Sequence, residues 1–129
     1  GWAVVLSPAG SRIGSNGGAM RVFLKASFPV VTGNRAISDG SIIKTIQSIL
    51  DELKPEASYF LDDGGERTAY LFCDLKDASQ IPALTEPWFL ALDAKVEVHP
   101  AMNAADLAAA APAIERAAKK YGARTMTAR

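Results

Sequence analysis

The side chains best suited to chemistry in this sequence lie on two short apolar segments. His99 is the lone histidine and stands before Pro100 in the run Val96-Glu97-Val98-His99. Imidazole ordinarily titrates near neutrality, so His99 is a candidate general base or acid. Glu97, two positions earlier on an extended segment, points to the same side, and Tyr70 is the third catalytic candidate. The commoner role of a histidine beside a strand-ending proline is a solvated or hydrogen-bonded rim residue. Cys73 is the lone cysteine, in Tyr70-Leu71-Phe72-Cys73, with no Cys-x-x-Cys partner and no adjacent base. It reads as a buried, inert thiol. One histidine and one cysteine are too few for a zinc site built on those ligands, so no metal is expected. There is no G-x-x-x-x-G-K-[ST] phosphate loop and no G-x-S-x-G elbow. Gly14-Ser15-Asn16-Gly17-Gly18 follows no strand-to-helix pattern for a dinucleotide. No cofactor is expected.

The composition sets the frame for these residues. A chain of 129 residues with 49% hydrophobic and 22% charged residues is long enough for one domain with its own core. Lys+Arg 14 balance Asp+Glu 14, so no basic excess draws the protein to nucleic acid or anionic lipid. No apolar run approaches the roughly 18 residues of a membrane span. A single cysteine excludes an intrachain disulfide, which fits a reducing compartment and an expected cytoplasmic location. Residues 1–19 are Gly/Ser-rich and aperiodic after Leu6 and read as an extension or linker, with Trp2–Leu6 alternatively a short docking strand. The domain is expected over 20–122, followed by a flexible tail at 123–129.

Periodicity then places the elements. Arg21–Phe28 alternates, with Val22, Leu24, Ala26 and Phe28 on one side and Phe23, Lys25 and Ser27 on the other. Pro29 ends this strand, a loop is expected through Gly33-Asn34, and Ser38-Asp39 can cap a helix. Ile42, Ile43, Ile46, Ile49, Leu50 and Leu53 make one helical stripe from about 40 to 54. Strands near 57–62 and 66–74 flank Asp62-Asp63-Gly64-Gly65, a strong hairpin signal. A second helix carries Ile81, Leu84 and Trp88. Ser79 is the favoured cap over Asp77, and Pro87 is expected to end or kink it. Ala94–His99 alternates again. Asn103 can cap a last, alanine-rich helix with Leu107, Ala111, Ile114, Ala118 and Tyr121, kinked at Pro112 and stopped at Gly122.

The order β-α-β-β-α-β plus a terminal helix is the split βαβ, ferredoxin-like pattern of an α+β protein: an antiparallel sheet with helices on one face. With Gly64-Gly65 or Asp63-Gly64 as a two-residue turn, the other face carries Phe23, Tyr59, Tyr70 and Phe72. Lys25, Lys95, Glu97 and His99 share that face. Four aromatic residues on one uncovered sheet make a large apolar patch, and such patches mark an interface or a ligand site. A homodimer with two sheets face to face is the economical arrangement.

The segments Asp77-Ala78-Ser79-Gln80-Ile81-Pro82-Ala83-Leu84, Glu86-Pro87-Trp88-Phe89 and Val96-Glu97-Val98-His99-Pro100-Ala101-Met102, with Asn103-Ala104-Ala105-Asp106-Leu107 after them, resemble the dimeric α+β barrel superfamily. Within it the chain is similar to small bacterial members without an assigned activity, over about residues 20–121. The resemblance implies a homodimeric fold. The superfamily includes cofactor-free monooxygenases, haem-degrading enzymes, lactone isomerases and stress-induced proteins. Its haem-degrading members use an Asn, Trp and His constellation, and the first strand here holds no asparagine.

Three functions follow as expectations. The first is a dimeric protein holding a small apolar or aromatic molecule between its sheets, with Phe23, Lys25, Tyr59, Tyr70, Phe72 and His99 as candidate contacts. The second is a cofactor-independent enzyme, monooxygenase- or isomerase-like, using His99 with Glu97 or Tyr70. The third is a purely structural or stress-related subunit. The bland alternative for Lys25, Lys95 and Glu97 is ion pairing across the dimer or a place at its wet edge.

Overall fold

A computed structural model describes residues 19–122. The readings of residues 1–18, including the Trp2–Leu6 strand, and of the tail at 123–129 lie outside the described residues.

The two strand periodicities come together in one antiparallel sheet. β1 (Met20–Phe28), β2 (Ala57–Asp63), β3 (Glu66–Leu75) and β4 (Lys95–Pro100) are ordered β2-β3-β1-β4. This α+β arrangement is compatible with a ferredoxin-like fold. One sheet face is apolar at every second residue: Val22, Leu24, Ala26 and Phe28 of β1, and Ala69, Leu71, Cys73 and Leu75 of β3. Val96 and Val98 extend it at the β4 edge. Ile49, Leu84, Trp88 and Leu92 from the helices close this core. β2 and β3 meet in a two-residue turn, Asp63 paired with Glu66, with Gly64 at φ 62° and Gly65 at φ 82°. Both positions need the left-handed region that glycine enters without a Cβ clash, so the Gly-Gly pair fixes the hairpin register.

The segment after β1 differs from the expected loop. α1 (Val30–Ser38) is a helix entered through Pro29, which is extended and accepts the Gly33 N–H at 2.9 Å. Val30, Val31, Thr32, Gly33 and Asn34 are weak helix formers, so packing overrides local propensity. Gly33 permits the close approach, because a Cβ there would stand 2.5 Å from Arg67 Nη1. The helix cap also differs. Asp39 ends α1, and α2 (Ile42–Leu53) starts at Ser41, whose N–H bonds Asp39 Oδ1 at 2.9 Å.

Asp77, rather than Ser79, supplies the cap before α3 (Ile81–Leu92). Its Oδ1 accepts from the Ser79 N–H and hydroxyl, both at 2.8 Å, over the short turn Ala78–Gln80. Asp77 is extended, whereas Ser79 already lies inside that turn, so only Asp77 has cap geometry. Pro82 sits in the first turn as expected, but α3 runs through Pro87 to Leu92. Buried Leu84, Trp88 and Leu92 on both sides of Pro87 hold the helix together where one backbone bond is lost. α4 (Ala104–Ala117) likewise runs through Pro112. Its start is the expected one: Asn103 and Asp106 form a reciprocal capping box with bonds of 2.8 and 3.0 Å. No residue of α4 is buried. No described helix is long and apolar enough to cross a membrane.

Cys73 is 1% exposed in the core. Burial pushes its thiol up to about 11 from 9.0, with Asp74 and Glu56 adding to the shift. Two units leave about a hundredfold less thiolate at a given pH. In native buffer at about pH 8, iodoacetamide is therefore expected to label Cys73 at least about a hundredfold more slowly than in urea-unfolded chain, followed by mass spectrometry. Equal labelling rates would overturn the assignment of an inert thiol.

Candidate functional site

Cross-strand register builds the site on the sheet face away from the helices. Phe23 lies opposite Phe72 on β3 and His99 on β4, and Phe72 lies opposite Ala57 on β2. The next row runs Tyr59, Tyr70, Lys25, Glu97 across the same four strands. Beyond it stand Leu61, Thr68, Ser27 and Lys95. The candidate catalytic and ligand-contact residues on the strands thus occupy two adjacent rows of one face, with Lys95 in a third, whereas Cys73 faces the core.

Phe23 is the hub of an aromatic cluster. Its ring meets Tyr70 edge-on at 5.1 Å and 79°, Phe72 tilted at 5.2 Å, and the His99 imidazole stacked at 6.3 Å and 18°. Such contacts add stabilisation beyond area burial and hold the rings in fixed mutual orientation. Tyr59, at the edge strand, remains 65% exposed. Ser27 and Thr68, neighbours in the third row, are buried, and their hydroxyl oxygens are 3.0 Å apart.

A charged group flanks the rings. Lys25 Nζ is 3.0 Å from Asp63 Oδ2, and the Tyr70 hydroxyl donates to the same oxygen at 2.7 Å. The Tyr70 hydrogen bond, and then Lys25, hold the Asp63 carboxyl below its usual value. The bond to Asp63 raises both Lys25 and Tyr70, with desolvation adding to the Tyr70 shift. The sequence pattern places Asp63 only in a turn. The available signal was its parity: it precedes Gly64-Gly65 on the same side of β2 as Tyr59.

The three catalytic candidates do not form one hydrogen-bonded unit. Tyr70 directs its hydroxyl to Asp63, whereas His99 Nε2 lies 3.2 Å from Glu97 Oε1 at the β4 edge. Phe23 and Lys25 on β1 stand between them in the register. At the start of β1, Arg21 Nε donates to Glu56 Oε1 at 2.8 Å, and its Nη1 is 3.9 Å from Asp106 Oδ2, tying the start of α4 to the sheet. No group of three or more His, Cys, Asp or Glu among the described residues is arranged to hold a metal ion. The face thus sets the Phe23, Tyr70, Phe72 and His99 rings beside two charged contacts, Lys25–Asp63 and Glu97–His99.

The Asp63 cluster makes stability depend on pH at both ends. A depressed carboxyl stabilises the fold above its unfolded pKa and loses this as pH falls through the folded value. Raised Lys25 and Tyr70 stabilise below their unfolded values and lose this as pH rises through the folded ones. The stability difference between the wild type and Asp63→Asn is expected to be level between about pH 5 and 9 and to shrink on either side. Urea unfolding across that range measures it, and a difference that grows below about pH 4 would overturn the assignment.

In comparisons with known proteins, the chain matches no protein-family model, no curated protein and no solved structure.

Proposed function

We propose that this protein is a homodimer of the ferredoxin-like, dimeric α+β barrel type, in which two sheets face each other and enclose a site for a small apolar or aromatic molecule. The observation that carries this reading is the Phe23–Tyr70–Phe72–His99 cluster on a sheet face opposite the helical core. An aromatic sheet face flanked by a few charged groups matches the make-up of ligand sites and of sheet-on-sheet interfaces. The order β2-β3-β1-β4 supports the ferredoxin-like part of the reading. α4, with Leu107 and Ile114 on its surface, offers further apolar area to a second copy. The buried thiol of Cys73 fits a reducing, cytoplasmic setting.

Sedimentation equilibrium at micromolar concentration is expected to give twice the 13.7 kDa chain mass. 1-Naphthol is expected to shift the ring resonances of Phe23, Tyr70 and Phe72. A monomer overturns the dimer, and a dimer whose rings ignore naphthol and other small aromatics overturns the ligand site, leaving a structural subunit.

The His99–Glu97 contact at 3.2 Å favours a second reading, a cofactor-independent enzyme with His99 as general base and Glu97 orienting it. His99→Ala is then expected to retain naphthol binding and lose turnover of any aromatic substrate the wild type converts.

A further inference from the structure

β2 is an edge of the sheet: among the described residues it pairs only with β3, and its outer side is open. Its middle is Tyr59-Phe60-Leu61, three consecutive large apolar residues, all exposed. Folded proteins guard such an edge with charges, a proline, a bulge or a covering segment, because a bare apolar edge pairs with free strands. Here Asp62 and Asp63 charge only the turn end. On the helix side of the sheet, a cavity of about 450 Å³ lies between β2 and the start of α2. Phe28, Ile42, Ile43, Ile46 and Phe60 give it walls almost wholly of carbon. Edge and cavity together suit an extended, uncharged strand, whose backbone meets the edge and whose alternate side chains fill the cavity.

The chain itself holds such a segment. Trp2-Ala3-Val4-Val5-Leu6 is uncharged and is the longest apolar run of residues 1–18, which lie outside the described residues. Alternation puts Trp2, Val4 and Leu6 on one side and Ala3 and Val5 on the other. β2 runs parallel to β1, since each is antiparallel to β3. A strand antiparallel to β2 therefore runs back toward the end of the sheet where Met20 begins β1. With Val4 opposite Phe60, Leu6 falls opposite Ser58, in the row of Leu71 and Leu24. Met20 is then three strand spacings, about 14 Å, across the sheet and about 13 Å along it. Residues 7–19 supply a Gly/Ser-rich connector of thirteen residues. Such a chain has a root-mean-square span of about 20 Å, close to the distance required. A tether matched to its span holds a segment at an effective concentration of about a millimolar, well above a second copy at micromolar concentration.

We propose that Trp2–Leu6 docks as a fifth strand antiparallel to β2, with Trp2, Val4 and Leu6 closing the cavity over Ile43 and Ile46. Neither the dimer nor the aromatic face is needed for this contact.

Nuclear Overhauser contacts in the full chain test the docking, with differently isotope-labelled chains mixed to separate contacts within a chain from contacts between chains. The Trp2 indole is expected to contact the Ile43 and Ile46 methyls of its own chain. Val4→Asp brings a carboxylate to the carbon-walled cavity. It is expected to speed hydrogen exchange of the outward amides of β2 at least about tenfold, since burying one valine is worth more than a tenfold step. Amides of β1 and β3 are expected to keep their rates. Should Val4→Asp fail to fold, the wild-type contacts of Trp2 decide. Absence of contact between Trp2 and both isoleucines, contacts to Phe23 and Phe72 instead, or unchanged β2 exchange in Val4→Asp would each overturn the proposal. Contacts found only between differently labelled chains would assign the edge to a second copy and overturn it as well.

Discussion

Trp88→Ala is expected to lower the unfolding free energy by about 3–5 kcal/mol, a large part of the total for a domain of this size. Trp88 is 0% exposed, the largest fully buried side chain among the described residues, and sits between Leu84 and Leu92 on α3 against the β1 and β3 core. Truncation removes the indole from the centre of the contact between helix and sheet and leaves a cavity that close-packed neighbours fill only in part. The indole also carries a cost: Trp88 Nε1 is buried without a hydrogen-bond partner. Trp88→Phe removes that orphaned donor while keeping most of the apolar contact, so it is expected to cost well under half of the alanine substitution. Urea unfolding followed by far-ultraviolet circular dichroism measures both. Equal losses for the two variants would overturn the assignment of the stabilisation to apolar contact that a phenylalanine ring retains.

The second large effect concerns assembly. Phe72→Glu puts a carboxylate beside Phe23 on the face proposed to meet its own copy. A two-fold interface receives every substitution twice, so two unpaired charges enter one apolar contact. Desolvating them is expected to weaken the dimer at least about a hundredfold. Sedimentation equilibrium should then give the single-chain mass, with the circular dichroism spectrum retained because Phe72 points away from the helical core. Leu90→Glu is the control. Leu90 is 79% exposed on α3, away from the sheet face, and its substitution is expected to leave assembly unchanged. A Phe72→Glu protein that stays dimeric would show that the sheets do not face each other.

The parts of the fold legible in sequence are those set by local rules. The alternation of β1 and β4 separates core from open face because the strand period is two, and Gly64-Gly65 sets the β2–β3 register through positive φ at both positions. Together they place Phe23, Tyr70, Phe72 and His99 on one face by local rules alone. α1 is illegible for the converse reason. Val30, Val31, Thr32 and Gly33 disfavour a helix locally, and what supports it, the approach of Arg67 from β3, lies over thirty residues away in the chain. The role of Asp63 was hidden in the same way. Its partners Lys25 and Tyr70 reach it from two other strands, and only the register combined with side-chain length brings the three together.

The placement of β1 inside the sheet has a kinetic consequence. The hairpin of β2 and β3 joins neighbours in sequence across a two-residue turn and can form early, at small loop-closure cost. β1 must wait for β3 on one side and for β4, as distant as the pairing of Val22 with Pro100, on the other. Until β4 has been synthesised, one edge of β1 is open, and Val22, Leu24 and Phe28 lack part of their cover. Folding is therefore limited by this long-range closure rather than by helix formation, and a chain stalled on the ribosome before Lys95 presents an unpaired strand edge to its neighbours.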